Sequence, residues 1–233
     1  HHSVCLRAIP SRADTFHFVR MRLSRYLAHL GYGTRAEVER DIAAGVVRHV
    51  EGRRLHADDH CPERIAHADI RYHDSPLDPP PGAVVMLHKP VGYVCSTQEA
   101  AATLVYDLMP PRFLHRDPVM ATVGRLDRDT SGLLLLTDDG PFNHRLTSPR
   151  SHVPKTYDAT LDAPIDSETV ARFASGTLML RGDDAPVAPA ALVIPTDAAD
   201  PCLVQITVHE GRYHMVRRMF AAVGRHVVHL HRS

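Results

Sequence analysis

Between Gly124 and Gly140 the chain reads GRLDRDTSGLLLLTDDG, which sets Asp127, Asp129 and Asp138 around a turn and a run of four leucines. Carboxylates at such a junction have three chemical uses: to ligate a cation, to bond the backbone of a turn, or to attack an electrophile. As a calcium loop, Asp127, Asp129, Ser131 and Gly132 fill the first, third, fifth and sixth places of a twelve-residue pattern, and Asp138 fills the last. Two features count against it. The last ligand should be a glutamate long enough to bind through both oxygens, and Leu133 to Leu136 read as a strand where a helix is required. As a turn, the segment makes ordinary sense, because short Asp, Thr and Ser side chains bond the local backbone and Gly supplies freedom. Taken as isolated letters the turn is the stronger reading, no metal is expected, and a nucleophile would need partners from elsewhere.

Such partners must be placed by the surrounding elements. Leu23, Tyr26, Leu27 and Leu30 recur at helical spacing and Gly31 and Gly33 end the pattern, which predicts a first helix. Thr34 stands three residues before Glu37, a capping-box spacing, and Val38 and Ile42 share one face of the helix that follows. VVRHVEGRRL then reads as a hairpin about Glu51-Gly52, although Arg48 lies where alternation with Val46 and Val50 favours an apolar residue, which a register shift of one would relieve. DSPLDPPPG, residues 74–82, is the clearest linker. Beyond it VVMLHKPVGYVCST predicts strand, turn and strand; GLLLLTDDG a buried strand; KTYDATL, LVQITVHEG and VVHLH further strands; and RYHMVRRMFAAVG a helix with Met215, Met219 and Val223 four apart. The expected fold class is α+β: a small basic unit over residues 21–73, then a mixed, mostly antiparallel sheet with flanking helices over 83–233. Residues 1–20 are expected to be an extension, a tag or a disordered arm.

Lysines and arginines number 27 and acids 27, but the balance conceals a separation along the chain. Met21–Leu55 holds seven arginines against four acids, residues 158–200 eight acids against two bases, and residues 205–233 five arginines against one acid. Two basic ends suit a polyanion, although an ordinary solvated surface has the same composition. Four separated cysteines with no C-x-x-C pair argue against a disulfide framework or a cysteine zinc site. His229 and His231 share a strand face without a third ligand, so a solvent-facing strand is preferred to zinc. With no long apolar run and no signal-peptide pattern, a cytoplasmic location without membrane attachment is the expectation.

Read together, KPVG at Lys89, GRLDRDTSGLLLLT at Gly124, KTY at Lys155 and GRYHMVRRMFAAVG at Gly211, in this order after a basic helix-helix-hairpin unit, resemble the pseudouridine synthases. The likeness is to the RsuA type, which acts on small-subunit ribosomal RNA, and it runs from Met21 to the last residue. It implies an alpha-L RNA-binding module at 21–73, a catalytic sheet domain, and isomerisation of uridine to pseudouridine without a cofactor. By the same resemblance Asp127 is the nucleophile, Arg217 its cationic partner, Tyr157 the ring that stacks on the target uracil, and Arg125 the residue that fills the gap left by an everted nucleotide. Lys89 and Lys155 are weaker candidates for phosphate contacts, and Arg22, Arg25 and Arg35 for RNA binding by the first module. The implied partner is ribosomal RNA or a small-subunit assembly intermediate, with the protein a monomer. Two alternatives stay open: a large-subunit ribosomal RNA synthase, and an RNA-binding protein of this fold that no longer isomerises. Met215 stands where the family usually has glutamine. The chain stops at HLHRS, where relatives run on, so a truncated chain with Val227, Val228 and Leu230 exposed at a sheet edge is expected.

Overall fold

The computed structural model describes residues 7–10, 21–97, 102–195 and 199–233. Its packing separates two units. The first takes in His1–Met86, Leu104–Val123 and Leu135–Asn143; the second takes in Leu87–Thr103, Gly124–Leu134 and His144–Ser233.

In the first unit β1 (Arg7–Pro10) pairs antiparallel with the start of a later strand, so part of the segment expected to be an extension or disordered arm carries sheet structure. The rest of residues 1–20 lies outside the described residues. β2 (Met21–Arg22) leads into α1 (Leu23–His29) and α2 (Arg35–Ala43). The apolar stripe Leu23, Tyr26, Leu27 and Leu30 is fully buried and packs with Val38 and Ile42, as the helical spacing predicts. The capping box forms: Glu37 N donates to Thr34 Oγ1 at 3.3 Å and Thr34 N donates to the Glu37 carboxylate at 2.7 Å.

The hairpin about Glu51-Gly52 is corrected. β3 (Val47–His49) takes its ladder from β5 (Ile70–Tyr72), which also pairs β6 (Ser75–Pro76), while β4 (His60–Cys61) pairs β2. Of the local pairing there remain an isolated antiparallel bridge, Arg48 to Arg54, and the turn bonds from His49 N to Arg53 O at 3.2 Å and from Gly52 N to His49 O at 2.9 Å. Val47 and His49 point inward and Arg48 outward, so the inward face is displaced by one from Val46 and Val50.

β7 (Ala83–Lys89), β8 (Ala121–Thr122), β9 (Thr130–Thr137) and α3 (Gly140–Thr147) follow. YVCST, expected as a strand after the Pro-Val-Gly turn, is a loop whose Val94 N donates to Thr103 O at 2.9 Å. The proline-rich 74–82 segment is tied down within this unit. Arg112 donates to Asp78, and the buried pair Arg116–Asp138, 2.6 Å apart, sits below it. Arg116 also donates to Pro79 O at 3.0 Å, and Gly82 N donates to Asp138 Oδ1 at 2.9 Å. The calcium-loop register is thereby excluded: its twelfth residue is committed to an arginine inside the core.

The second unit adds β10 (Lys155–Leu161), α4 (Ser167–Ala174), β11 (Ala191–Val193), β12 (Leu203–Val208), α5 (Met215–Ala221) and β13 (Val227–Arg232). Among the described residues the main sheet has the order β1-β7-β9-β13-β10-β12-β11, with β8 beside β9. Only the register between β13 and β9 is given as parallel; β10 runs antiparallel to both β12 and β13. The fold is thus mixed α and β with a mostly antiparallel sheet. β13 lies between two strands rather than at an edge, which buries Val227 and Leu230 and leaves only Val228 exposed, contrary to the expectation for all three. Met215, Met219 and Phe220 of α5 pack into the core, and Phe220 meets Phe173 of α4 with ring centroids 5.1 Å apart.

Removing one member of a buried ion pair strands the other charge, at about 3–5 kcal/mol. Asp138→Ala is therefore expected to lower stability by about that amount, read from the midpoint of urea unfolding.

Candidate active site

The loop Gly124–Asp129 runs into β9, and the second unit grips its backbone on several sides. Lys89, at the end of β7, is fully buried and its ammonium donates to the carbonyls of Pro90 (3.0 Å), Arg128 (3.4 Å) and Thr130 (2.7 Å). The next turn adds Gly92 N to Arg128 O at 2.7 Å. Leu126 N donates to the buried Cys95 Sγ at 3.5 Å. Arg217, one turn into α5, donates to the Asp129 carboxylate at 2.9 Å, the Asp129 carbonyl at 3.2 Å and Val227 O at 2.8 Å. Gly132, with φ of +113°, lets β9 approach β13: a β-carbon there would stand 2.1 Å from Arg232 O.

Held in this way, Asp127 keeps its carboxylate accessible, with a side-chain exposure of 32%. His214 Nε2 lies 3.5 Å from Asp127 Oδ1. Tyr157, on β10 opposite Arg232 of β13, is buried, and burial raises its hydroxyl pKa; Arg232 opposes the rise and Asp127 adds to it. Asp127, Tyr157, His214 and Arg232 therefore belong to one electrostatic neighbourhood. Lys155 donates to Val153 O at 3.2 Å, and its pKa is lowered by partial burial and by Arg232.

Several expected roles change on this geometry. Arg217 does not pair with Asp127; its planar fork spans Asp129 and the start of β13, and so fixes the Asp127 loop from two residues away. Lys89 is no phosphate contact. Its charge is spent on three carbonyls, and burial lowers its pKa. Arg125 is exposed within the loop. Arg22, Arg25 and Arg35 are exposed in the first unit, where Arg25 and Arg35 line an open cleft of about 420 Å³ with His29 and Asp117. Sequence reasoning missed Asp129, His214 and Arg232 as members of the site. The first two stand inside motifs already quoted, and Arg232 is recognised only through strand pairing.

The loop thus presents a part-exposed carboxylate in the electrostatic neighbourhood of a buried phenol and the Arg232 guanidinium. Residues 83–222 match the model of the RNA pseudouridylate synthase family. Ribosomal small subunit pseudouridine synthase A of Escherichia coli strain K12 is 42% identical, covering 91% of this chain and 88% of that protein. An uncharacterized RNA pseudouridine synthase of Bacillus subtilis strain 168 is 36% identical, covering 91% of this chain and 86% of that protein. A solved structure titled as a pseudouridylate synthase superposes with a TM-score of 0.57 at 36% identity, over 91% of this chain and 87% of the other. The chain belongs to the RNA pseudouridylate synthase family, and is an isomerase of RNA uridine.

Lys89→Met keeps the bulk and removes the three donors; Arg128 O retains the Gly92 amide, while Pro90 O and Thr130 O lose the ammonium at about 1–3 kcal/mol each. We expect a drop on the order of 3 kcal/mol in unfolding free energy, with turnover falling further as the loop loosens.

Proposed function

We propose that this chain isomerises one uridine of small-subunit ribosomal RNA, with Asp127 as the nucleophile. The observation that carries the reading is the accessible Asp127 carboxylate, fixed by the Lys89 and Arg217 contacts beside Tyr157. High identity to a relative named for the small ribosomal subunit supports the choice of RNA.

The reaction breaks the bond between ribose C1′ and uracil N1, turns the base, and joins C1′ to C5. The proton on C5 leaves and N1 gains one, so the atoms balance without an outside reagent. Asp127 attacks either the sugar carbon or the ring, and the detached base is held while it turns. Tyr157 offers a ring for stacking on the everted uracil. Its raised pKa keeps the hydroxyl protonated at neutral pH, which suits donation better than abstraction. Arg125 enters the gap left in the RNA stack. Lys155 and Arg232 add positive charge near the base and its phosphates, and Arg22, Arg25 and Arg35 hold RNA through the first unit. The protein acts as a cytoplasmic monomer, on an assembly intermediate in which the target base is still reachable.

Unmodified small-subunit RNA, free and in partly assembled particles, is incubated with the protein and pseudouridine is mapped by carbodiimide-dependent primer extension. One modified position is expected with wild type and none with Asp127→Asn, whose RNA affinity stays within about threefold because the substitution is isosteric. Product from Asp127→Asn, or binding by wild type without product, overturns the proposal.

A further inference from the structure

Tyr213 is 79% exposed, an unusual setting for a large ring. It does not hang free. Its ring lies flat on the His214 imidazole, centroids 4.0 Å apart and planes 12° from parallel, so one face is covered and the other is open. His214 in turn reaches Asp127 at 3.5 Å, which puts the open face one imidazole away from the nucleophile's contact.

The backbone beneath the pair is fixed. His214 adopts φ of +45°, which a residue with a side chain adopts only when its surroundings impose it. Arg218 donates to Tyr213 O at 3.3 Å, and Met215 N to Arg212 O at 3.2 Å. Arg212 is itself bound to Asp183 at 2.8 Å and to the carbonyls of Ala185 (2.9 Å) and Pro186 (2.8 Å), while Arg218 also meets Asp183. Asp183, paired with Arg218 and Arg212, has its pKa lowered and stays an anion. A ring held this firmly loses little conformational freedom when a second ring lands on it.

We propose that Tyr213 is a stacking platform for a nucleobase that flanks the target uridine. This rests on the reading of Asp127 as the nucleophile for an RNA uridine, since an RNA strand that delivers its uridine to Asp127 must carry the neighbouring bases past the adjacent surface. The surroundings favour a base over an apolar protein side chain. Tyr213 stands among the charged side chains of Arg212, Arg218, Glu210 and Asp183, and a flat ligand with polar edges matches a flat ring bordered by charge.

The test uses the full chain and an RNA stem-loop containing the modified uridine, with 2-aminopurine replacing the 5′ or the 3′ neighbour in turn. Base stacking on an aromatic ring predicts that Tyr213→Ala raises KM about tenfold, with a smaller effect on kcat, and that Tyr213→Phe restores KM. Wild type and Tyr213→Phe should quench the fluorescence of one of the two labelled RNAs, and Tyr213→Ala should not. Unchanged KM and unchanged quenching in Tyr213→Ala overturn the proposal. So does a Phe variant as impaired as the Ala variant, which would assign the effect to the hydroxyl, and so does a fall in kcat alone, which would assign it to His214 and Asp127. Tyrosine-dependent quenching without any pseudouridine would sink the proposed reaction and leave the platform standing.

Discussion

The site depends on the Lys89 ammonium buried beneath the loop that carries Asp127. A fully buried cation is unfavourable unless its donors are satisfied, and here each of three protons finds a main-chain carbonyl. The arrangement works in both directions: the carbonyls keep the charge tolerable, and the charge holds the loop in one conformation. Arg217 does the same from the other side with a guanidinium, whose fork spans a carboxylate, its own carbonyl and the first residue of β13. Neither cation touches the Asp127 carboxylate. They fix the backbone on either side of it, and leave the carboxylate within reach of His214.

Much of this was legible in the letters, and the part that was not has a common cause. α1, α5, β10 and β12 follow from periodicity, because each buries one face and its sequence alternates or repeats accordingly. The ladder between β3 and β5 was not legible, since the partner lies more than twenty residues away and a nearer turn offered a plausible local substitute. The same blindness to long-range pairing put β13 at an edge when it is an interior strand. At the site, the motifs singled out Asp127 and Tyr157 as candidates, but not which acid Arg217 would choose. Asp127 and Asp129 are two letters apart in one motif, and only the direction of the α5 side chain separates them. Lys89 looked like a surface charge because a lysine's burial cannot be read from its neighbours in sequence.

The first unit solves a related problem by different means. A proline-rich run has few amide donors with which to tie itself down. Asp78 and the carbonyl of Pro79 instead receive Arg112 and Arg116, while Asp138 receives Arg116 and the Gly82 amide. The segment that composition marks as a linker is thus ordered by side chains from residues 112, 116 and 138, far along the chain. Its extended shape comes from proline and its position from arginine.

The missing side chain at Gly132 lets β9 lie directly against the main chain of Arg232, only a few residues beyond Asp127. A carboxylate so close to a paired strand has little slack. On the proposed reading of Asp127 the adaptation that accompanies binding falls on the nucleic acid, which unstacks and swings its base toward the carboxylate, and discrimination between RNA sites becomes a question of which sequence distorts most readily.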